Sequence, residues 1–185
     1  MFKDDEIKLR ALEPEDLEWL YLIENDAELW RWGNANVPYS RYILKEYIAG
    51  SRCDIYADGQ MRLVVTMART GQVVGCVDLM KFDARHLRAE VGIVIFPEFG
   101  NRGYGARVLE MLAVYCREHI YMHQLYAIIS ANNFPACRLF EKAGYVRTAE
   151  LKDWLRDAEG EYISAWMYCL SLQKTVCSSQ NKKNA

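Results

Sequence analysis

The residues best suited to chemistry in this chain are Gly100-Asn101-Arg102-Gly103-Tyr104-Gly105-Ala106. Glycines let the backbone turn tightly and let a ligand approach the main-chain N–H groups. A helix opening at that turn adds the partial positive charge of its first turn, and the two together suit a phosphate. Arg102 and Arg107 could add formal charge. Three phosphate-binding readings compete. A P-loop requires Gly-x-x-x-x-Gly-Lys-Ser/Thr, and no Lys-Ser or Lys-Thr follows these glycines. A dinucleotide fingerprint, Gly-x-Gly-x-x-Gly, belongs near the first strand of a βαβ unit, whereas here the spacing is reversed and the position is mid-chain. A coenzyme A pyrophosphate loop is the third. A Gly-rich turn that holds no ligand is the alternative to all three.

Other chemistries are poorly represented. The six cysteines, Cys53, Cys76, Cys116, Cys137, Cys169 and Cys177, include no pair two or three positions apart. The three histidines show no ligand spacing with them, so neither a zinc knuckle nor a redox pair is expected, and no metal. Scattered thiols suit a reducing compartment. Charge is almost balanced, 23 Lys+Arg against 25 Asp+Glu, which argues against a protein built to hold a nucleic-acid backbone. The first 30 residues nevertheless carry ten acids and three bases. The acidic start lacks an apolar signal region, and no apolar run approaches the length of a membrane span. The expectation is a soluble cytoplasmic protein.

The 185 residues are the size of one domain, and 51% of them are apolar, enough for a real core. Residues 7–12 alternate as a strand. Pro14 followed by Glu15 and Asp16 marks a helix start, and a second helix is expected over 42–48. Residues 61–67 and 72–80 read as strands joined by the Arg69-Thr70-Gly71 hairpin. A short apolar strand, 91–95, precedes the Gly-rich turn. The helix after it, 106–118, puts Val108, Leu109, Leu112, Ala113 and Cys116 on one face. A strand at 125–130 follows. Asn133 can cap a helix running to Ala143, with Gly144 as its stop. Strands at 145–148 and 162–170 complete a mixed α/β sheet. Residues 174–185 are polar and expected to be disordered.

These blocks resemble the GNAT superfamily of acyl-CoA-dependent N-acetyltransferases from Ile7 to Leu172. The family's central motif, Gln/Arg-x-x-Gly-x-Gly/Ala, stands here as Gly100-Asn101-Arg102-Gly103-Tyr104-Gly105, with Gly at the leading position. Its second block stands as Asn133-Phe134-Pro135-Ala136-Cys137-Arg138-Leu139-Phe140-Glu141-Lys142-Ala143-Gly144-Tyr145. The opening Leu9-Arg10-Ala11-Leu12-Glu13-Pro14-Glu15-Asp16 is also similar. The resemblance implies a single GNAT domain over residues 1–173, with a mixed, mostly antiparallel central sheet, splayed strands and flanking helices. It implies acetyl-CoA as cosubstrate. The backbone of Ile93, Val94 and Ile95 would bind the pantetheine arm, and the N–H groups of Gly100, Asn101, Arg102, Gly103, Tyr104, Gly105 and Ala106 the pyrophosphate. Asn133 would touch the cofactor as well as cap a helix. Glu90 matches a family position for the base or an amine-binding carboxylate, and is otherwise a strand-end acid. Phe140 stands where many members have a Tyr that protonates the leaving thiolate. Tyr104, Tyr145 or water could replace that hydroxyl, and a thiolate is a tolerable leaving group without it.

The implied acceptor is a primary amine on a polyamine-like small molecule or on a peptide. The resemblance runs closest to spermidine/spermine and ribosomal-protein N-terminal acetyltransferases. Two departures weigh against a polyamine. No acid precedes Pro38 in Gly33-Asn34-Ala35-Asn36-Val37, and Lys81 stands where the polyamine group tends to have a second acid, although Asp78 remains acidic. Trp30, Arg31 and Trp32 could line an acceptor pocket or be core and rim. A non-catalytic acyl-CoA-binding module is the alternative function. No nucleic acid or membrane partner is expected, and the oligomeric state, a homo-oligomer included, stays open.

Overall fold

The computed structural model describes residues 4–30, 37–157 and 159–172. Alternating and apolar runs build seven strands: β1 (Ile7–Ala11), β2 (Met61–Met67), β3 (Val73–Asp83), β4 (Arg88–Ile95), β5 (Gln124–Ser130), β6 (Val146–Arg156) and β7 (Tyr162–Ser171). They form one sheet in the order β1-β2-β3-β4-β5-β7-β6. Every neighbouring pair is antiparallel except β4 and β5. The helices are α1 (Leu17–Glu24), α2 (Ala27–Trp30), α3 (Arg41–Gly50), α4 (Ile55–Asp58), α5 (Tyr104–Glu118) and α6 (Phe134–Lys142).

The strand and helix order matches the sequence expectation, with three differences. The short helices α2 and α4 were not anticipated; four residues show no periodicity, although Asp54 caps α4 by accepting from the Tyr56 amide at 2.9 Å. Strand β6 continues to Arg156 instead of ending at 148. It is an edge strand, exposed along most of its length and bulged against β7, so no apolar alternation marks it. Arg31, Trp32, residues 33–36, Cys177 and the expected tail lie outside the described residues.

Two cores follow from the pattern. One sheet face carries Leu63, Val77, Leu79, Val91, Leu125 and Ala127 against Val108, Leu109, Leu112 and Cys116 of α5, all buried. Ala113, expected on the same α5 face, is only half-buried. A smaller cluster, Leu20, Leu44 and Ile48, joins α1 to α3.

Asp16 ties α1 to the sheet. Its carboxylate is 3% exposed and accepts from both Arg10 guanidinium Nη atoms, at 2.6 and 2.8 Å, from Trp19 Nε1 at 2.7 Å and from the Glu13 amide at 2.8 Å. Burial alone would raise this carboxyl; the donors, Arg10 foremost, outweigh it and hold the group below its ordinary value. A carboxyl whose pKa is lower when folded adds stability that is complete above the unfolded value near 4 and vanishes as pH falls through the folded one. Asp16→Ala leaves Arg10 in a partly buried site without its partner, so the variant should lose about 3 kcal/mol. Urea titrations at pH 7 and pH 3 check this: the gap between wild type and variant should shrink at the lower pH.

Gly75 of β3 sits where no other residue fits. A Cβ there would lie 2.0 Å from the Val94 carbonyl oxygen of β4. Gly75→Ala must push β4 off β3 and should cost about 3 kcal/mol, or roughly 6–12 °C of Tm for a chain of this size. Gly50→Ala, with nothing within 4 Å of the added atom, should leave Tm at or above wild type.

Candidate active site

The sheet opens between β4 and β5. These parallel strands pair only at Arg88–Gln124, Ala89–Leu125 and Glu90–Tyr126. Beyond Glu90, β4 continues to Ile95 against β3, and β5 continues to Ser130 against β7, with no pairing between them. Ile93, Val94 and Ile95 lie on this unpaired stretch of β4, half-buried. Backbone N–H and C=O groups left without a strand partner require other partners. An extended, amide-bearing ligand lying in the gap can supply them. Glu90 stands at the root of the opening, in the last residue pair before the strands part.

Because β4 and β5 are parallel, the segments that follow them emerge at the same end. After β4 come a short 3-10 turn, Pro97–Phe99, and the Gly-rich loop. Asn101 and Gly103 both adopt positive φ, 59° and 83°, which turns the chain sharply into α5. Helices α3 and α6 are capped by the side chains of Ser40 and Asn133. The longest helix, α5, is not: its N-cap is Gly103, which has no side chain, so the amides of its first turn have no side-chain partner. Gly105 serves packing as well, since a Cβ there would meet Leu139 of α6 at 3.1 Å. Gly100, Asn101, Arg102, Gly103, Tyr104, Gly105 and Ala106 thus form one continuous turn at the mouth of the opening. Arg102 is exposed and its guanidinium lies 5.7 Å from the Phe99 ring centre. Arg107 is committed elsewhere, to Glu6 at 2.7 Å and Asp4 at 3.4 Å.

After β5 comes Asn133. Its Oδ1 accepts from the Ala136 amide at 3.2 Å, so the capping role is realised. Phe140, two turns into α6, is 3% exposed and packs edge-on against Tyr145, ring centres 4.9 Å apart. The Tyr145 hydroxyl is buried without a hydrogen-bond partner among the described residues, and burial pushes it well above its ordinary value. Tyr104 is also buried in the main core.

The charges near the root of the opening are paired. The Glu90 side chain is 9% exposed, and its Oε2 lies 2.8 Å from Lys81 Nζ. That contact holds the Lys81 ammonium above its ordinary value. Asp78, two residues before the Glu90 partner Met80 on β3, accepts from Arg62 Nε at 2.6 Å and Nη2 at 2.9 Å. The same guanidinium reaches Glu24 of α1. Burial opposes the Arg62 charge, but Asp78 and Glu24 hold it fully protonated. Trp30 donates from Nε1 to the Glu24 carbonyl at 2.7 Å. The pairing of Lys81 with Glu90 could not be read from spacing, because it depends on a bulge in β3; the Lys itself stands out in the sequence only as a basic residue in an acid's place. Among the described residues no group of three His, Cys, Asp or Glu is placed to hold a metal ion.

Comparison with known proteins gives this geometry a family. A model of the acetyltransferase (GNAT) domain matches residues 6–146. Spermidine N(1)-acetyltransferase of Escherichia coli (strain K12) is 27% identical over 164 residues, 89% of this chain and 85% of the relative. A Bacillus subtilis (strain 168) protein named "Putative ribosomal N-acetyltransferase YdaF" is 25% identical over 155 residues, 82% of this chain and 84% of its own. Among solved structures, spermidine N-acetyltransferase from Vibrio cholerae in complex with CoA and spermine superposes with a TM-score of 0.82 at 23% identity, over 91% of this chain and 97% of that one. The sheet that opens beyond Glu90 and the uncapped helix at its mouth are therefore parts of a domain of known kind, and the chain belongs to the GNAT acetyltransferase family.

Proposed function

We propose that this protein transfers an acetyl group from acetyl-CoA to a primary amine of a polyamine-like small molecule. One observation carries the reading: the unpaired edge of β4 leads directly to the uncapped start of α5. An extended pantetheine arm fits the first feature and a pyrophosphate the second. The β4 edge at Ile93, Val94 and Ile95 would bond the arm as a strand would. The amides of residues 100–106 would face the phosphates, Asn133 would flank the arm from the β5 side, and Phe140 would close the apolar wall.

Acetyl-CoA supplies an activated thioester carbonyl; the protein's residues must prepare the amine. An amine is protonated at neutral pH and cannot attack until it loses a proton. Glu90 would accept a hydrogen bond from the ammonium and draw that proton away, directly or through water. Main-chain donors on the β4 edge would stabilise the developing oxyanion. Phe140 offers no proton to the departing thiolate. The Tyr145 hydroxyl is enclosed in the core, so water or the Tyr104 hydroxyl would supply that proton. Five free thiols among the described residues suit the reducing cytoplasm that this reading includes. The relatives named as spermidine N(1)-acetyltransferases support the small-molecule acceptor. Transfer to a peptide amine is the second reading, favoured by the ribosomal relative and by the pairing of Asp78 and Glu90 with cations, which leaves little free negative charge for a polycation.

Thiol release from acetyl-CoA with spermidine, spermine, simple monoamines and a peptide with a free N-terminus ranks these acceptors by kcat/KM. No release with any of them would leave a non-catalytic acyl-CoA-binding module. Gly103→Glu adds strain at positive φ and a negative charge in open space at the loop. It should weaken acetyl-CoA at least about tenfold by calorimetry, whereas Gly103→Ala, strained but uncharged, should weaken it much less. Glu90→Gln keeps the shape and removes the carboxylate. Its kcat/KM should fall about 10²-fold while the Kd for acetyl-CoA stays near wild type. An unaltered kcat/KM would make Glu90 a structural residue.

A further inference from the structure

Lys81 departs from its strand in a way that serves Glu90. In the β3–β4 ladder Met80 lies opposite Glu90, so strict alternation would turn the next side chain to the other face. The register instead shifts between Met80 and Asp83, and Lys81 adopts a left-handed φ of 50°. A non-glycine residue held there is uncommon and marks a place where surrounding structure imposes the conformation. Bulges of this kind re-aim a side chain. The result is an ammonium 2.8 Å from a buried carboxylate oxygen that has no other hydrogen-bond donor among the described residues. The two partners are unlike in exposure: the Glu90 side chain is 9% exposed, the Lys81 side chain 60%. A hydrated cation on a flexible stem thus sits over a nearly buried anion, from the solvent side.

The amine that reacts must approach the same carboxylate. Taken with the reading of Glu90 as the seat of the acceptor amine, on which this inference rests, we propose that Lys81 is the seat's resident cation. It holds Glu90 while no acceptor is bound and competes with the incoming ammonium for it. Two ammonium groups within bonding distance of one carboxylate repel each other, so the Lys81 side chain must swing outward for the acceptor to settle. Its exposure leaves it free to do so. The cost of displacement falls on every acceptor. An acceptor with further positive charges also meets the displaced ammonium nearby, so Lys81 selects against polycations relative to monoamines. Lys81 is therefore a specificity-determining residue and takes no part in bond making.

Steady-state kinetics with spermidine and with propylamine, on wild type, Lys81→Met and Lys81→Arg, test this. Lys81→Met retains the stem and removes the charge. Its KM for spermidine should fall about tenfold, its KM for propylamine clearly less, and kcat should change less than about threefold. Lys81→Arg keeps a cation and should stay close to wild type in the ratio of the two KM values. Calorimetric Kd values for spermidine on the CoA-bound protein should move with KM, and the Kd for acetyl-CoA should not move. A KM that rises or stays constant in Lys81→Met, or that falls equally for both amines, overturns the inference while the proposed function stands. A wild-type protein that neither releases thiol with any amine nor binds one removes the reading of Glu90, and the inference with it.

Discussion

A parallel strand pair that stops after three residues is the constraint around which this molecule is organised. Beyond Glu90 and Tyr126 the two halves of the sheet share no backbone hydrogen bonds across the gap. Each half must be stable by its own means. The first four strands are joined by long antiparallel ladders, and Gly75 brings β3 so close to β4 that the Val94 carbonyl occupies the space of a side chain. The last three strands are held by the β5–β7 and β6–β7 ladders. Helices α5 and α6 cross-brace the two halves from one face through a shared core, with Leu139 seated against Gly105. A sheet that was continuous there would have no edge to offer a ligand, and one without such bracing would not stay open.

The same opening explains why α5 starts as it does. Helices α3, α4 and α6 finish their N-termini with side-chain oxygens, which is the locally stable solution. Helix α5 forgoes a cap and opens on a glycine at φ 83°. The amides left over lie at the end of the sheet where the gap opens, without a side-chain partner. The arginine of the helix's first turn, Arg107, is turned back to the N-terminal acids, which leaves the backbone amides and the exposed Arg102 to set the character of this end.

At the root of the gap the electrostatics run the other way. Carboxylates cluster there, and each is matched. Arg62 spans Asp78 and Glu24, linking β2 and β3 to α1, and Lys81 covers Glu90. Burying such groups unpaired would be costly, and pairing them removes the cost without adding much stability. The two pairs differ in access. Arg62 is enclosed and serves as a strut, whereas Lys81 reaches in from solvent. Of the charges near the gap, the Glu90 carboxylate is the one whose partner can move aside.

Much of this was legible in the residues themselves. Local stereochemistry is sufficient to place a turn at Gly100–Ala106, a cap at Asn133, a stop at Gly144 and an apolar stripe on α5, because each depends on neighbours within a few positions. The two motif blocks are also local, and with them the fold and the family. What the chain could not declare is anything set by atoms distant in sequence. Arg107 reads as a phosphate ligand until its contact with Glu6, 101 positions away, is known. Phe140 reads as the residue in a proton-donating tyrosine's place, and only packing sets its ring edge-on beside Tyr145. Only the first residues of strand β6 show in the sequence, because an exposed edge needs no apolar alternation. Lys81 and Glu90 are nine positions apart on different strands, and their contact exists only because a bulge turns one side chain to the other's face. Sequence determines which groups are available; the register of the strands, and the point at which two of them part, decide which groups meet.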